Sequence, residues 1–377
     1  VGWRFWVGLA VTGAALYLAM RHVEWDRFAA SMRLIDVWWV AGGALLFLSS
    51  LVVRAVRWRL LLRQVIDPQS ARLRTKDVFS YLLIGYAANN VLPMRMGEIA
   101  RAYYVAQKEQ TSTGGVLATI AVERVFDLLG LVFFVVLLTL TMEMPTEIRV
   151  SMIAVEGLAV VALSVLIALS FVDPKLGRLR TILSKVLPQK AAGRVMRLLE
   201  TFVIGLRTAR SKKVLISVGL LSMSIWLLIF GDAFFYTRAF HMGLPFLAAI
   251  FVVTVANLGT MIPSSPGGLG VAHYLFVVAL GVWHIAREPA LGFAVVRHGV
   301  SYLLTTSIGL ACLWVTSLSF RSLVESTPKA SEAAGEAAAV VEGETTAAGT
   351  KNAEKTEGVC RVRARPTGAG AEMRDQR

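Results

Sequence analysis

Charged side chains stand inside stretches of this chain that are otherwise apolar. Arg95, Glu98 and Arg101 form one group, and Glu123, Arg124 and Asp127 follow close behind. A further set, Asp232, His273, Arg297 and His298, lies in the second half. An ionised residue at the centre of a membrane helix costs about 2.5–3.5 kcal/mol on insertion scales, so it is rarely idle. Glu98 and Arg101 become i,i+3 neighbours if a helix resumes after Gly97, and Glu123 and Asp127 are i,i+4 on one helix face. Two stacked carboxylates repel unless a cation sits against them, and Arg95 or Arg101 is placed to supply it. The first set serves either as a structural ion network or as a ligand site. In the second set, the Arg297 guanidinium has a fork of donors that matches phosphate oxygens. The plain alternative is an ion pair between Arg297 and Asp232 that ties two spans together.

These charges cluster around two interruptions of the apolar pattern. The first runs from Asn89 and Asn90 through Pro93 and Gly97 to Glu98. The second runs from Asn257 through Pro263 and Pro266 to Gly267, Gly268 and Gly270. A helix broken at bilayer depth leaves backbone groups unpaired, and it persists only where protein or a wet cavity covers them. Paired breaks in the two halves of a membrane protein point to a binding site. The amides of Gly267, Gly268 and Gly270 would make an anion-binding nest at a helix N-terminus.

Composition sets the class of fold that must hold these groups. The chain has 377 residues, 56% of them hydrophobic and 17% charged. Its mean hydropathy of +0.62 is too high for a soluble domain of this length. The expected fold is all-α: a polytopic membrane bundle of about six full spans and two re-entrant broken hairpins. The spans expected are Trp3–Met20, Val37–Val53, Val116–Thr141, Met152–Val172, Val214–Thr237 and Ala290–Thr316, which approach or exceed the ~18 residues that mark a crossing. The broken regions are Val78 to about Val105 and Phe246 to Trp283. Residues 1–320 form the membrane domain. Residues 321–377 carry few large apolar side chains and read as a disordered cytoplasmic tail. Cys312 and Cys360 are too few and too far apart for a disulfide framework or a zinc site.

The net charge of +14 lies in loops, so it points to the anionic face of a membrane and away from nucleic acid. The stretch Arg54–Asp77 holds seven Lys/Arg and Asp173–Lys213 holds eleven, against three or fewer in each other loop. The positive-inside rule places both rich loops and both termini in the cytoplasm. Val78–Gly115 must then enter and return from inside, and Phe246–Trp283 from outside. That is the geometry of an inverted repeat; the alternative is a set of ordinary kinked spans. Within Asp173–Lys213, Val195, Leu198, Phe202 and Leu206 recur at helical spacing among arginines, which suits a basic amphipathic helix on the inner leaflet.

The pattern Asn90-x-x-Pro93-x-Arg95-x-Gly97-Glu98-x-x-Arg101, then Glu123-Arg124-x-x-Asp127, then Pro266-Gly267-Gly268-Leu269-Gly270, resembles the lysylphosphatidylglycerol synthase transmembrane region. The resemblance covers about residues 5 to 320. The family pattern usually has Glu where this chain has His273. The resemblance implies a flippase-like protein of the cell inner membrane that moves or handles lipids with charged headgroups. Membrane phospholipids are the implied partners, with a second membrane protein or a second copy as further candidates. The alternatives are an accessory subunit of an envelope-modifying enzyme and a lipid-modifying enzyme that uses the intramembrane acids. No Walker A, HExxH or GxSxG motif occurs, and no cofactor is expected. The family's synthases carry an aminoacyltransferase domain after the membrane region; here the tail follows, so a transporter is expected in place of an enzyme.

Overall fold

The computed structural model describes residues 3–66, 73–91, 96–142, 212–259 and 269–316, with residues 146, 149, 150, 153 and 157 besides. Among these residues it is helical throughout, with ten helices in its main segments. They are α1 (Trp3–Met20), α2 (Trp25–Arg33), α3 (Val37–Leu62), α4 (Thr75–Val91), α5 (Met96–Lys108), α6 (Thr113–Thr141), α7 (Lys212–Ala239), α8 (Phe246–Gly259), α9 (Val271–Gly281) and α10 (Arg287–Val315). The expected span Met152–Val172, the amphipathic helix around Phe202 and the tail fall outside the described residues.

Helices α3, α7 and α10 are long and apolar enough to cross a membrane. Shorter apolar helices are Ala10–Met20 within α1, Phe246–Leu258 within α8, and α9. The 29 residues of α6 rise about 44 Å, and its ionisable residues sit in its first half. Local signals set the starts. The Asp36 carboxylate accepts from the Trp38 amide at 2.9 Å, and the Ser112 hydroxyl accepts from Gly115 at 3.0 Å.

The second span differs from expectation. Its helix does not end at Val53 but continues to Leu62, so Arg54, Arg57 and Arg59 are helical residues. The apolar run Leu60-Leu61-Leu62 keeps burying a face beyond them. Three of the seven cations assigned to the loop therefore belong to a packed helix. Helix α2 was also not expected; Phe28 and Met32 anchor it on the core.

Each broken region is a pair of short helices, α4 with α5 and α8 with α9. By helical rise these are about 16–26 Å long, short of the ~30 Å hydrocarbon layer. The helix pairs pack in a reciprocal pattern. Helix α3 packs on α4 as α7 packs on α8; α5 on α6 as α9 on α10. Helix α6 reaches across to α8, and α10 reaches across to α4. The most extensive interface joins α3 to α7. There Gly42 and Gly43 leave room for the rings of Phe235 and Tyr236, so the two backbones approach closely.

Besides a small cluster of Ile84, Ala100 and Leu313, two large apolar cores result among the described residues. One gathers Phe134, Phe230, Phe251, Phe276 and Phe293 from α6–α10. The other gathers Trp58, Leu62, Leu82, Val105 and Ile120 from α3–α6. Helix α6 belongs to both, so its position couples them.

Candidate functional site: two buried charge sets and the cleft between them

The first set is centred on a residue that sequence reading placed in a loop. Arg57 is fully buried, and its guanidinium donates to Asp127 Oδ1 at 2.6 Å, to the Ser222 hydroxyl at 2.8 Å and to Glu123 Oε1 at 3.3 Å. Arg101 donates to the other oxygen of Glu123 at 3.1 Å and lies 4.4 Å above the Trp58 ring. Glu123 is thus held between two arginines from different elements. Arg124 lies 3.5 Å from Asp127 and 4.0 Å from Glu98, and Arg54 lies 4.0 Å from Asp127.

Arg101 thus sits against Glu123 as expected, and the structure adds a second cation: Arg57 lies between Glu123 and Asp127. Arg95 lies outside the described residues. Glu98 and Arg101 share α5 but turn to different partners, Arg124 and Glu123. The signal for Arg57 was present in the sequence. It lies three residues from Arg54 and is followed by apolar residues at helical spacing.

The cluster holds more positive than negative charge: Arg54, Arg57, Arg101 and Arg124 face Glu98, Glu123 and Asp127. Several donors are also unspent. Among the described residues, Nε and Nη1 of Arg101 and Nε of Arg57 are buried without a hydrogen-bond partner, and Arg124 Nε has only the 4.0 Å approach to Glu98. Buried donors left this way cost free energy that an anion or water would recover.

The close approach of α4 and α5 brings Arg101 into place. A Cβ on Gly97 would collide with the Gly85 carbonyl oxygen, so only glycine fits. The Gly97 amide is satisfied by Asn89 Oδ1 at 2.8 Å. Asn90 points the other way. Its side-chain amide donates to the hydroxyls of Thr305 and Thr306 at 3.1 and 2.9 Å, and its backbone carbonyl accepts from the Tyr302 hydroxyl at 3.1 Å. The first break is therefore fastened to α10, a helix of the other half.

In the second set, the plain alternative is realised. Arg297 binds Asp232 Oδ2 through Nη2 at 2.7 Å and Nε at 2.9 Å. Its guanidinium also lies 5.4 Å from the Phe276 ring centroid. His273 stands where a helix begins, with Nδ1 3.4 Å from the Gly270 amide. Gly270 has φ of 85°, a conformation that suits glycine. An imidazole nitrogen thus faces the amide that opens α9, a role a carboxylate can also fill. His273 and His298 have ring centroids 5.0 Å apart. Pro93, Pro266, Gly267 and Gly268 lie outside the described residues.

A cleft of about 210 Å³ opens among α3, α4 and α10. It is lined by Phe47 of α3, by Tyr86, Asn89 and Asn90 of α4, and by His298, Ser301, Tyr302 and Thr305 of α10. One wall belongs to the first broken helix pair, and the other begins one residue beyond Arg297.

Residues 5–309 match the lysylphosphatidylglycerol synthase TM region, which is most of the chain. The chain belongs to this family. Among its relatives is the glycosyltransferase AglD of Haloferax volcanii, 28% identical over 84% of this chain and 55% of that protein. The chain therefore spans about half the length of that relative. A UPF0104 membrane protein of Methanothermobacter thermautotrophicus is 26% identical over 75% of this chain and 87% of its own length. Another, MJ1078 of Methanocaldococcus jannaschii, is 24% identical over 60% and 93%. As a member of the lysylphosphatidylglycerol synthase TM region family with several long apolar helices, this is a multi-pass membrane protein.

Proposed function

We propose that this protein translocates lipids with charged headgroups between the two leaflets of the cell membrane. The observation that carries the reading is the buried cluster around Arg57 and Glu123, with its excess of positive charge and its unspent donors beside a broken helix pair. A lipid phosphate would neutralise the excess and occupy the donors. The reciprocal packing of α3–α6 and α7–α10 supports two halves of opposite orientation. Two such halves would let each broken pair gate one side of the membrane. Both pairs are then re-entrant, with the termini in the cytoplasm. Charged lipids need a polar groove open sideways to the bilayer, and paired charge at each stage keeps the headgroup out of bare hydrocarbon. Arg297, held by Asp232, would receive the phosphate on the outer side.

The test is translocation of a fluorescent anionic phospholipid in proteoliposomes holding the full chain. Arg101→Ala should abolish most of the movement. Equal rates in protein-containing and empty vesicles would sink the proposal.

A second reading rests on the relative named a glycosyltransferase, in which a region like this chain accounts for about half the length. There the membrane region accompanies additional chain. By that analogy this protein would act as the membrane subunit of an enzyme that modifies envelope lipids. Co-purification of a single soluble enzyme with it, without translocation, would favour this second reading.

A further inference from the structure

The lining of the cleft differs in kind from the two charge sets. Apart from the His298 imidazole it presents no acid and no base: it holds two carboxamides, the phenols of Tyr86 and Tyr302, the hydroxyls of Ser301 and Thr305, and the Phe47 ring. Carboxamides and hydroxyls both donate and accept, which suits a ligand whose groups do the same. Flat rings beside them suit the apolar face of a saturated ring. At about 210 Å³ the cleft is smaller than the roughly 300–1,000 Å³ that houses a drug-sized ligand, a size that suits a single ring.

The placement is also informative. Tyr86 follows Gly85, against which the Arg101 side chain packs, and Asn89 holds the Gly97 amide next to Glu98. The cleft therefore adjoins the cationic cluster through α4. A headgroup with phosphate at one end and a polyol ring at the other would meet the two environments in the same order.

We infer that this cleft is a headgroup site for a polyol ring, a sugar or cyclitol joined to its lipid through phosphate. The inference rests on the lipid-translocation reading and names its substrate class. The charged cluster takes the phosphate. Tyr86 reads the ring hydroxyls together with the Asn89 side-chain amino group, whose neighbouring Oδ1 holds Gly97, and the Ser301 hydroxyl oxygen, which still accepts while its proton goes to the His298 carbonyl. Asn90, Tyr302 and Thr305 hold the wall in position through their contacts between α4 and α10.

The experiment compares two lipids with the same fluorescent acyl chains, phosphatidylinositol and phosphatidic acid, in proteoliposomes of the full chain. Binding is measured alongside translocation. Phosphatidylinositol should be preferred, and Tyr86→Phe and Ser301→Ala should each shrink the preference roughly fivefold, as loss of one or two hydrogen bonds does. The readout is a ratio between two lipids, so a general loss of folded protein leaves it unchanged. Equal handling of both lipids would overturn the ring site while leaving lipid translocation standing. If neither lipid is bound or moved, both readings fall. Competition by soluble inositol phosphate as strong as that by the lipid would assign the cleft to a water-soluble ligand and also overturn the inference.

Discussion

Arg57 and Asp232 stand on α3 and α7, the two helices that share the most extensive interface, and each pairs with a long helix of its own half. Their partners correspond. Glu123 is 10 residues past the start of α6 and Arg297 is 10 past the start of α10, and both helices have 29 residues. The ion pairs Arg57–Glu123, at 3.3 Å, and Asp232–Arg297, at 2.7 Å, thus join corresponding helices with the charges exchanged. Coulomb attraction depends on distance and on opposite sign, not on which helix carries which. The correspondence supports the proposed repeat, and the exchange gives each half its own electrostatic character.

That correspondence predicts a charge-swap result. Asp232→Ala and Arg297→Ala should each destabilise the protein by about 3–5 kcal/mol, since each strands its partner in a buried place. The swap Asp232→Arg with Arg297→Asp should recover much of the loss. Thermal unfolding of purified protein, arranged as a double-mutant cycle, measures the coupling. Simple additivity of the two single variants would mean the contact contributes nothing.

For transport, Arg297→Lys should retain part of the activity that Arg297→Ala loses, because an ammonium keeps the charge without the forked donors. Lipid translocation and unfolding midpoint are recorded together. A parallel fall of both in Arg297→Ala would assign the residue to structure alone.

Glu123→Gln leaves Arg57 with one carboxylate, Asp127, and leaves Arg101 with none. A loss of about 3–5 kcal/mol follows from unpairing a buried charge. Among the described residues Glu98→Gln touches only the partly exposed Arg124, 4.0 Å away, and should cost under about 1 kcal/mol. Comparable unfolding midpoints for the two variants would contradict the central place given to Glu123.

Gly97→Ala should separate α4 from α5, because its new methyl would meet the Gly85 carbonyl. Overpacking of this kind costs about 1–3 kcal/mol. Gly309→Ala tests the other contact of α4, where a Cβ would lie 2.5 Å from the Leu83 carbonyl oxygen. Cysteine cross-linking between α4 and α10 should become slower in the second variant, and an unchanged rate would show that the helices yield without cost.

Orientation is tested by introduced cysteines and an impermeant label. Positions Ser70 and Gln189 should react from the cytoplasm, and Thr146 and Met242 from outside. External labelling at 189 would refute the opposed entry of the two broken pairs.

The sequence by itself determined the class of protein and the location of its irregularities. Apolar length, the Pro and Gly breaks and the rarity of charge in spans are local properties, so they can be read residue by residue. Helices α3, α6 and α10 begin within three residues of the expected spans, because their apolar runs have clear starts. What only the tertiary structure decided was partnership. Arg57 looks like a loop cation in the chain and becomes the centre of a buried network because α3, α6 and α7 converge on it. The cleft was equally invisible. Tyr86, Ser301 and Thr305 are ordinary helix residues until α4 and α10, separated by more than 200 positions in sequence, are laid side by side. Charge and hydrogen-bond satisfaction are pairwise quantities, and a linear pattern names the donors and acceptors without saying which of them meet.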